Sequence, residues 1–132
     1  MYQPNPEDRK YSKDHEWAVD NKDGTVTMGI SDYAQEQLTD IVFVELPDIG
    51  RQVAQFEQLA VVESVKSVSD IYAPVSGTVI DVNKALEDQP ELVNQDAFGE
   101  GWIVKLQMVD PSELDTLMDA AAYDDYLERD GD

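Results

Sequence analysis

Cysteine is absent from the 132 residues of the chain, and this absence excludes zinc fingers, iron–sulfur clusters, thiol nucleophiles and CxxC redox chemistry. Any redox-active group therefore has to come from outside the chain. Histidine occurs once, at His15, so a Ser-His-Asp triad or a histidine metal site would rest on a single imidazole. We interpret His15 as a partly buried, hydrogen-bonded structural histidine. The glycines form neither GxGxxG nor GxxxxGK[ST], so no phosphate-binding loop is encoded.

Basic residues are scarce: 9 Lys and Arg side chains accompany 29 Asp and Glu side chains, which leaves a formal net charge of -20. This charge repels phosphate backbones and anionic lipid surfaces, so we expect binding to neither nucleic acid nor membranes. It also disfavours self-association and thus favours a monomer. The sequence has no run of about 18 apolar residues, and its first residues lack the basic and apolar regions of a secretory signal. We therefore expect a soluble, cytoplasmic protein.

The length suits one domain over residues 1–132, with residues 1–10 and 128–132 expected to be flexible. Short runs rich in β-branched and aromatic residues, separated by turn residues, predict most of the secondary structure. They predict a hairpin over residues 17–30, a buried strand over 41–46, and further strands over 59–65, 68–73, 78–82 and 102–106. This pattern favours a mainly β fold, either a small sandwich or a flattened barrel.

Helical signals occur at two places. Ser31 can cap a short inserted helix that ends near Thr39. Asp110 and Pro111 are typical of a helix start, and Glu113 is predicted to complete a capping box. Apolar side chains at helical spacing follow, so we predict a C-terminal amphipathic helical segment. Residues 83–95 are polar and predict a loop.

Lys66 lies at or beside the tip of the hairpin that is predicted over residues 59–73. A lysine at such a tip is usually a solvated charge that discourages pairing between sheet edges. Here the small residues Ser64 and Ser67 flank it, between two strongly β-forming runs. These neighbours favour a rigidly presented and uncovered amine, which is what a modifying enzyme needs. The carboxylates of Glu16 and Asp70, taken alone, are interpreted as solvated surface charges.

An ordered series of five motifs runs through most of the chain. They are YSKDHEW at residues 11–17, GISDYAQ at 29–35, DIVFVELP at 40–47, ESVKSVSDIYAPVSG at 63–77 and GEGW at 99–102. Together they closely resemble the glycine cleavage system H-protein family, from about Tyr11 to Tyr126. The tetrapeptide ESVK would be weak evidence by itself, whereas the ordered series is highly specific.

The resemblance implies a lipoyl/biotinyl-like β sandwich or flattened barrel with lipoate covalently attached to Lys66. It implies a carrier protein and not an enzyme, and the carrier shuttles the aminomethyl group of glycine. The implied partners are the pyridoxal-phosphate glycine decarboxylase (P protein), the tetrahydrofolate-dependent aminomethyltransferase (T protein), dihydrolipoamide dehydrogenase (L protein), which reoxidises the arm, and a lipoate ligase or lipoyl transferase. An external dithiolane also agrees with a chain that has no sulfur redox group of its own.

In the family, the loaded arm folds back into an acidic cleft, whose matching positions in this sequence are Glu16 and Asp70, with Asp14 nearby. A carboxylate there could hold the cationic amine of the aminomethyl group. The sequence departs from the family pattern at three places. Thr39 stands where glycine is common, residues 97–98 replace the usual Pro-Tyr, and Asp14 occupies a position often held by Ser, Thr or Glu. None of these differences touches Lys66.

Three other interpretations remain open at this stage. A biotinyl carrier uses a similar fold and hairpin lysine, usually between methionines, where this chain has Val65 and Ser67. A small acid–base enzyme that used His15 with Glu16 would not need Lys66. A non-catalytic adaptor with an acidic face would bind basic partners whether or not the lysine was acylated.

A member of the H-protein family could also relay lipoyl groups to other complexes instead of serving glycine breakdown.

Overall fold

A computed structural model describes residues 4–129 of the chain. Nine strands, four α-helices and one 3₁₀-helix occur within these residues. The strands are β1 (Lys10–Tyr11), β2 (Glu16–Asp20), β3 (Thr25–Ile30), β4 (Ile41–Glu45), β5 (Gln52–Val53), β6 (Gln58–Ser64), β7 (Val68–Tyr72), β8 (Gly77–Val82) and β9 (Val104–Met108). The helices are α1 (Asp32–Leu38), α2 (Ala85–Asp88), α3 (Leu92–Gln95) and α4 (Ala120–Arg129), and the 3₁₀-helix spans Pro111–Thr116.

The strands form two antiparallel sheets. One has six strands in the order β1-β2-β3-β9-β8-β5, and the other has three strands in the order β4-β6-β7. Buried aliphatic side chains from both sheets, among them Met28, Leu106, Val62 and Ile71, form the main core. Because the sheets are separate and enclose a common core, the sandwich form of the prediction is confirmed and the closed barrel is not.

The local sequence signals predicted two hairpins and the cap of a helix accurately. The predicted hairpin is β2 and β3, joined through Gly24, which has a φ of 90°. Ser31 caps α1, where its hydroxyl oxygen accepts the Ala34 N–H at 3.2 Å, and α1 ends before Thr39. The later hairpin is β6 and β7, and it has Lys66 in its turn.

The strand predicted over residues 41–46 exists as β4, but the prediction that it is buried was wrong. Val42 and Phe43 are both exposed, whereas Ile41 and Val44 are buried. The pairing of β4 with β6 shifts register between Ile41 and Phe43. This bulge breaks the alternation of side chains, so two consecutive apolar residues face outward.

The predicted loop over residues 83–95 contains the short helices α2 and α3, whose Leu86 and Val93 are buried in the main core. The predicted single C-terminal helix is interrupted between the 3₁₀-helix and α4. Met118 exchanges two backbone hydrogen bonds with Tyr11, at 2.7 and 2.8 Å. Pairing with this strand residue holds the backbone extended, so an uninterrupted helix cannot form there.

Glu113 does not complete the predicted capping box. Its two carboxylate oxygens instead accept the N–H and O–H of Ser76, at 2.7 and 2.8 Å. The cap of the 3₁₀-helix comes from Asp110, whose side chain accepts the Ser112 N–H at 3.0 Å. Glu113 therefore joins the C-terminal segment to the turn before β8.

The flexibility expected for residues 1–10 and 128–132 stays a prediction, and residues 1–3 and 130–132 lie outside the described part. Asn5 is buried, and its amide donates to the Asp124 carboxylate at 2.6 Å. Over residues 4–129, no helix has the length and apolar character needed to cross a bilayer.

Candidate functional site

Lys66 projects from the turn between β6 and β7, and its side chain is exposed. The turn is closed by Ser64 on both its backbone and its side chain. The Ser64 N–H donates to the Ser67 carbonyl at 2.8 Å, and the Ser64 hydroxyl oxygen accepts the Lys66 N–H at 3.3 Å and the Ser67 N–H at 3.1 Å. These bonds fix the backbone without using the lysine side chain.

The same turn is attached to a neighbouring strand. The Val65 N–H donates to the Asp40 carbonyl at 3.1 Å, immediately before β4. The next residue along, Ile41, pairs with Ser64 and donates its N–H to the Asn94 side chain at 2.9 Å. The Lys66 ammonium group itself forms no salt bridge with any side chain in residues 4–129. A fixed backbone thus presents a free amine.

A cleft of about 190 Å³ lies beside this hairpin. It is bordered by the loop between β1 and β2, by α1 and by β7, and it is lined by Asp14, His15, Ile30, Tyr33, Ala34, Gln37, Leu38, Ser69 and Ile71. Ser69 is three residues after Lys66, a separation of about 10 Å along an extended strand. The cleft therefore begins a few residues along β7 from the turn that carries Lys66.

Glu16 lies below the surface near this cleft, with only 1% of its surface exposed. Its carboxylate accepts hydrogen bonds from the Ser12 hydroxyl and, at 3.1 Å, from the Tyr72 N–H. Burial disfavours the charged form and raises the pKa of Glu16 from 4.5 to about 7, although these two hydrogen bonds act in the opposite direction. Glu16 is a buried acid that links β2 to β7.

His15 forms one wall of the cleft and is held from behind. Its Nδ1 lies 2.8 Å from the hydroxyl oxygen of Tyr123, which lies 2.8 Å from the hydroxyl oxygen of Ser31. Burial lowers the pKa of His15 below its ordinary value, against the opposing effect of the nearby Asp14. The interpretation of His15 as a partly buried, hydrogen-bonded residue is confirmed.

The four residues predicted for the site occupy four different environments. Asp14 is exposed and lines the cleft, and Glu16 is buried behind it. Asp70 is exposed but is not among the residues that line the cleft, because side chains alternate along β7 and the cleft takes Ser69 and Ile71. Lys66 stands apart in its turn.

Sequence reasoning missed several cleft residues. Tyr33 and Gln37 lie four residues apart on α1 and share a helix face, which is the one local signal that could have paired them. No local sequence pattern relates them to Ser69, which lines the cleft from β7 in the three-stranded sheet. Within residues 4–129 no group of three or more His, Cys, Asp or Glu side chains could hold a metal ion.

The family model for the glycine cleavage H-protein matches residues 9–130, nearly the whole chain and all of the site just described. The chain belongs to this family. H proteins are carrier components of the glycine cleavage system that bear a lipoyl group, and they are not enzymes. The family assignment inferred from the five sequence motifs is thus confirmed.

Individual relatives give the same assignment. The chain is 59% identical over 125 residues to the glycine cleavage system H protein of Symbiobacterium thermophilum, an alignment that covers 94% of this chain and 96% of that protein. It is 58% identical over 123 residues to the H protein of Thermus thermophilus, covering 93% and 95%. A crystal structure of a glycine cleavage system H protein from Mycobacterium marinum superposes with a TM-score of 0.84 at 38% identity, covering 96% and 99% of the two chains.

Two of the three positions noted as departures from the family pattern can be described by their local geometry, at Thr39 and at residues 97–98. Thr39 ends α1 with φ 68° and ψ -148°, a backbone region that suits glycine. The carbonyl of Ala97 accepts the indole N–H of Trp17 at 3.1 Å, and that of Phe98 accepts the Arg9 guanidinium at 3.0 Å. The backbone carbonyl groups of residues 97 and 98 therefore have hydrogen-bond partners although the side chains are Ala and Phe instead of Pro and Tyr.

Proposed function

We propose that lipoate is attached to this H protein through an amide bond to Nζ of Lys66. The observation that supports this most directly is an exposed amine without a salt bridge in the described residues, on a turn whose bonds leave its side chain free. In the reaction, Nζ forms the new bond to the acyl carbon of an activated lipoyl donor. The donor's leaving group departs, and the amine loses its proton. The product has no charge at this position.

We propose further that the protein carries the aminomethyl group of glycine from the pyridoxal-phosphate decarboxylase to the tetrahydrofolate-dependent aminomethyltransferase. Dihydrolipoamide dehydrogenase would then restore the oxidised form. The lipoyl group, when bound, supplies the disulfide that a chain without cysteine lacks. The chain itself holds the attachment point at high local concentration near each partner's active site. Cytoplasmic location and a monomeric state stay predictions.

The cleft beside the hairpin is proposed to shelter the end of the modified lysine. Its walls are apolar at Ile30, Leu38 and Ile71, and Asp14 supplies a carboxylate at the surface. Asp14 could pair with a cationic amine for about 1 kcal/mol, the magnitude of an exposed ion pair. The buried carboxylate of Glu16 could take part only if the segment above it opened. Asp70 would act at the rim from the outer side of β7.

The test of the attachment site is mass analysis after modification. The purified protein would be incubated with lipoate ligase, lipoate and ATP, and its intact mass and peptides would be measured. One lipoyl adduct is expected, on the peptide that contains Lys66, and none in Lys66→Arg. Lys84→Arg, which changes another exposed lysine, should be modified normally. An adduct on another residue, or modification only by biotin ligase, would refute the proposal.

The role of the cleft can be tested separately from attachment. Glu16→Ala and Asp14→Asn should both accept lipoate on Lys66, but the loaded proteins should lose the aminomethyl group faster than the parent. Asp23→Asn, at an exposed carboxylate in the hairpin of β2 and β3, is the control. Equal decay rates in all four proteins would remove the cleft from the mechanism while leaving the attachment to Lys66 intact.

A further inference from the structure

Apolar side chains are exposed around the Lys66 turn. Val65 and Val68 flank the lysine, and Val42 and Phe43 stand on the adjoining strand β4. All four are about half exposed or more, yet apolar residues of this size are normally buried. The β4 bulge is the reason that Val42 and Phe43 face outward together. A cluster of this kind on a protein surface is typical of an interaction site.

The strand register places Phe43 and Val68 in one row of the smaller sheet, with Val42 in the adjoining bulge and Val65 in the turn. Phe43 is paired with Glu63, and Glu63 with Val68, across the three strands of the smaller sheet. The next row consists of Glu45, Val61 and Asp70. We call the outer surface formed by Val42, Phe43, Val65 and Val68 with the acids Glu45, Glu63 and Asp70 the docking face.

The docking face has charge of one sign. Strands β4, β6 and β7 contain no Lys or Arg, so Lys66 is the basic group at the end of an acidic and apolar surface. Its complement would be an apolar depression edged by Lys and Arg side chains. Opposite charges at the edge speed the encounter, while buried apolar contacts supply the affinity.

We propose that the docking face binds the enzyme that forms the amide bond at Lys66, with Phe43 as the main apolar contact. The proposal rests on the proposed function, because it takes Lys66 as the acceptor. That enzyme must bring the Lys66 amine into its own active site. The residues around the Lys66 turn would then contact the enzyme surface that surrounds the entrance to that active site. Glu63 and Asp70 would face basic residues of the enzyme. The docking face recognises the unmodified protein before any carrier function begins.

The test compares two phenylalanines of nearly equal exposure. Phe43 is 48% exposed in the docking face, and Phe56 is 49% exposed beside Ala73 at the opposite end of β7, roughly 20 Å from Lys66 along an extended strand. Initial rates of lipoylation by lipoate ligase, with lipoate and ATP, would give kcat/KM for each purified variant. Phe43→Ala should lower kcat/KM about tenfold through a higher KM, as loss of an interface hot spot does. Phe56→Ala should leave it unchanged.

The acidic part is tested with charge-neutral variants. Glu63→Gln should lower kcat/KM at low salt, and the difference from the parent should shrink as sodium chloride is raised, because the attraction is screened. Asp81→Asn, an exposed acid on β8 of the other sheet, is the matched control. Thermal unfolding of every variant would show that the fold is retained.

The outcomes separate this proposal from the one on which it rests. If the parent protein were not lipoylated on Lys66, the proposed function would fail. If the parent were lipoylated and Phe43→Ala reacted at the parental rate, the docking proposal alone would be overturned. If Phe43→Ala were lipoylated normally but transferred poorly with the decarboxylase, the docking face would belong to that enzyme, and the assignment to the lipoylating enzyme would be wrong.

Discussion

The Nδ1 atom of His15 lies 2.8 Å from the hydroxyl oxygen of Tyr123, and this contact connects the C-terminal helix α4 to the wall of the cleft. The same hydroxyl reaches Ser31, the residue that caps α1. The helix α4 therefore packs against two borders of the cleft through one phenol group. Its position and the shape of the cleft are coupled.

Removing that hydroxyl should change the ionisation of His15. Because burial favours the neutral imidazole, we assign the Tyr123 O–H as the donor to Nδ1, a bond that lowers the pKa of His15 further. Tyr123→Phe is expected to raise this pKa, measured by NMR titration, and to reduce stability by about 1 kcal/mol. Tyr126→Phe, whose ring also lies beside His15, is the control. A pKa that stayed the same or fell would contradict the assignment.

Glu16 should make stability depend on pH. Its pKa is raised from 4.5 to about 7 in the folded protein, so the folded state binds this proton more tightly than the unfolded state does. The contribution of the protonated Glu16 to the free energy of unfolding is fully present below pH 4.5 and is lost as the pH rises through 7. The loss is roughly 3 kcal/mol. Glu16→Gln should abolish this decline and be more stable than the parent at pH 8, as measured by urea unfolding across the range. If the difference in the free energy of unfolding between the two proteins did not vary with pH, Glu16 would not be the source of the pH dependence.

Thr39 should be a site where glycine stabilises the protein. Its φ of 68° and ψ of -148° are strained for a β-branched residue. Thr39→Gly should relieve that strain at the expense of a more flexible unfolded chain, for a net gain of about 1 kcal/mol. Thr78→Gly, at a position of β8 that pairs with Gln107 in β9, should destabilise instead. Chemical denaturation would measure the change in the free energy of unfolding of each variant. The two changes should have opposite signs if the backbone conformation at Thr39 causes the strain.

Glu113 is expected to be structural. Its carboxylate accepts both the N–H and the O–H of Ser76, and hydrogen bonds to a charged acceptor are stronger than neutral ones. Glu113→Gln should therefore reduce the free energy of unfolding by about 1 to 2 kcal/mol. Asp115→Asn, at an exposed neighbour in the same 3₁₀-helix, should cost little. Equal effects would point to a general influence of charge instead of this contact.

Local chemistry determines the parts of the structure that could be predicted. The hairpin through Gly24, the cap at Ser31 and the turn at Lys66 each depend on residues close together in the sequence. Propensity and capping act over that range, so the sequence pattern was sufficient. The exposure of Lys66 could be inferred for the same reason, because small residues flank it within its own turn.

The rest depends on contacts between distant segments. Met118 interrupts the C-terminal helix because it pairs with Tyr11, more than a hundred residues earlier. The burial of Glu16 requires the Tyr72 N–H from the other sheet. The cleft joins α1 to β7, and the side of β7 that faces it excludes Asp70. A sequence pattern gives the type of each residue but does not determine these pairings.

The bonds that close the turn at Ser64 involve backbone atoms and the hydroxyl groups of Ser64 and Ser67, and none uses the side chain at position 66. That side chain can be exchanged without disturbing its support. Since the sequence contains no cysteine, Lys66→Cys would create a unique thiol at the proposed attachment point. Synthetic arms of chosen length or chemistry could then be mounted on the native scaffold by simple alkylation, which makes the protein a platform for measuring how far a tethered group can reach.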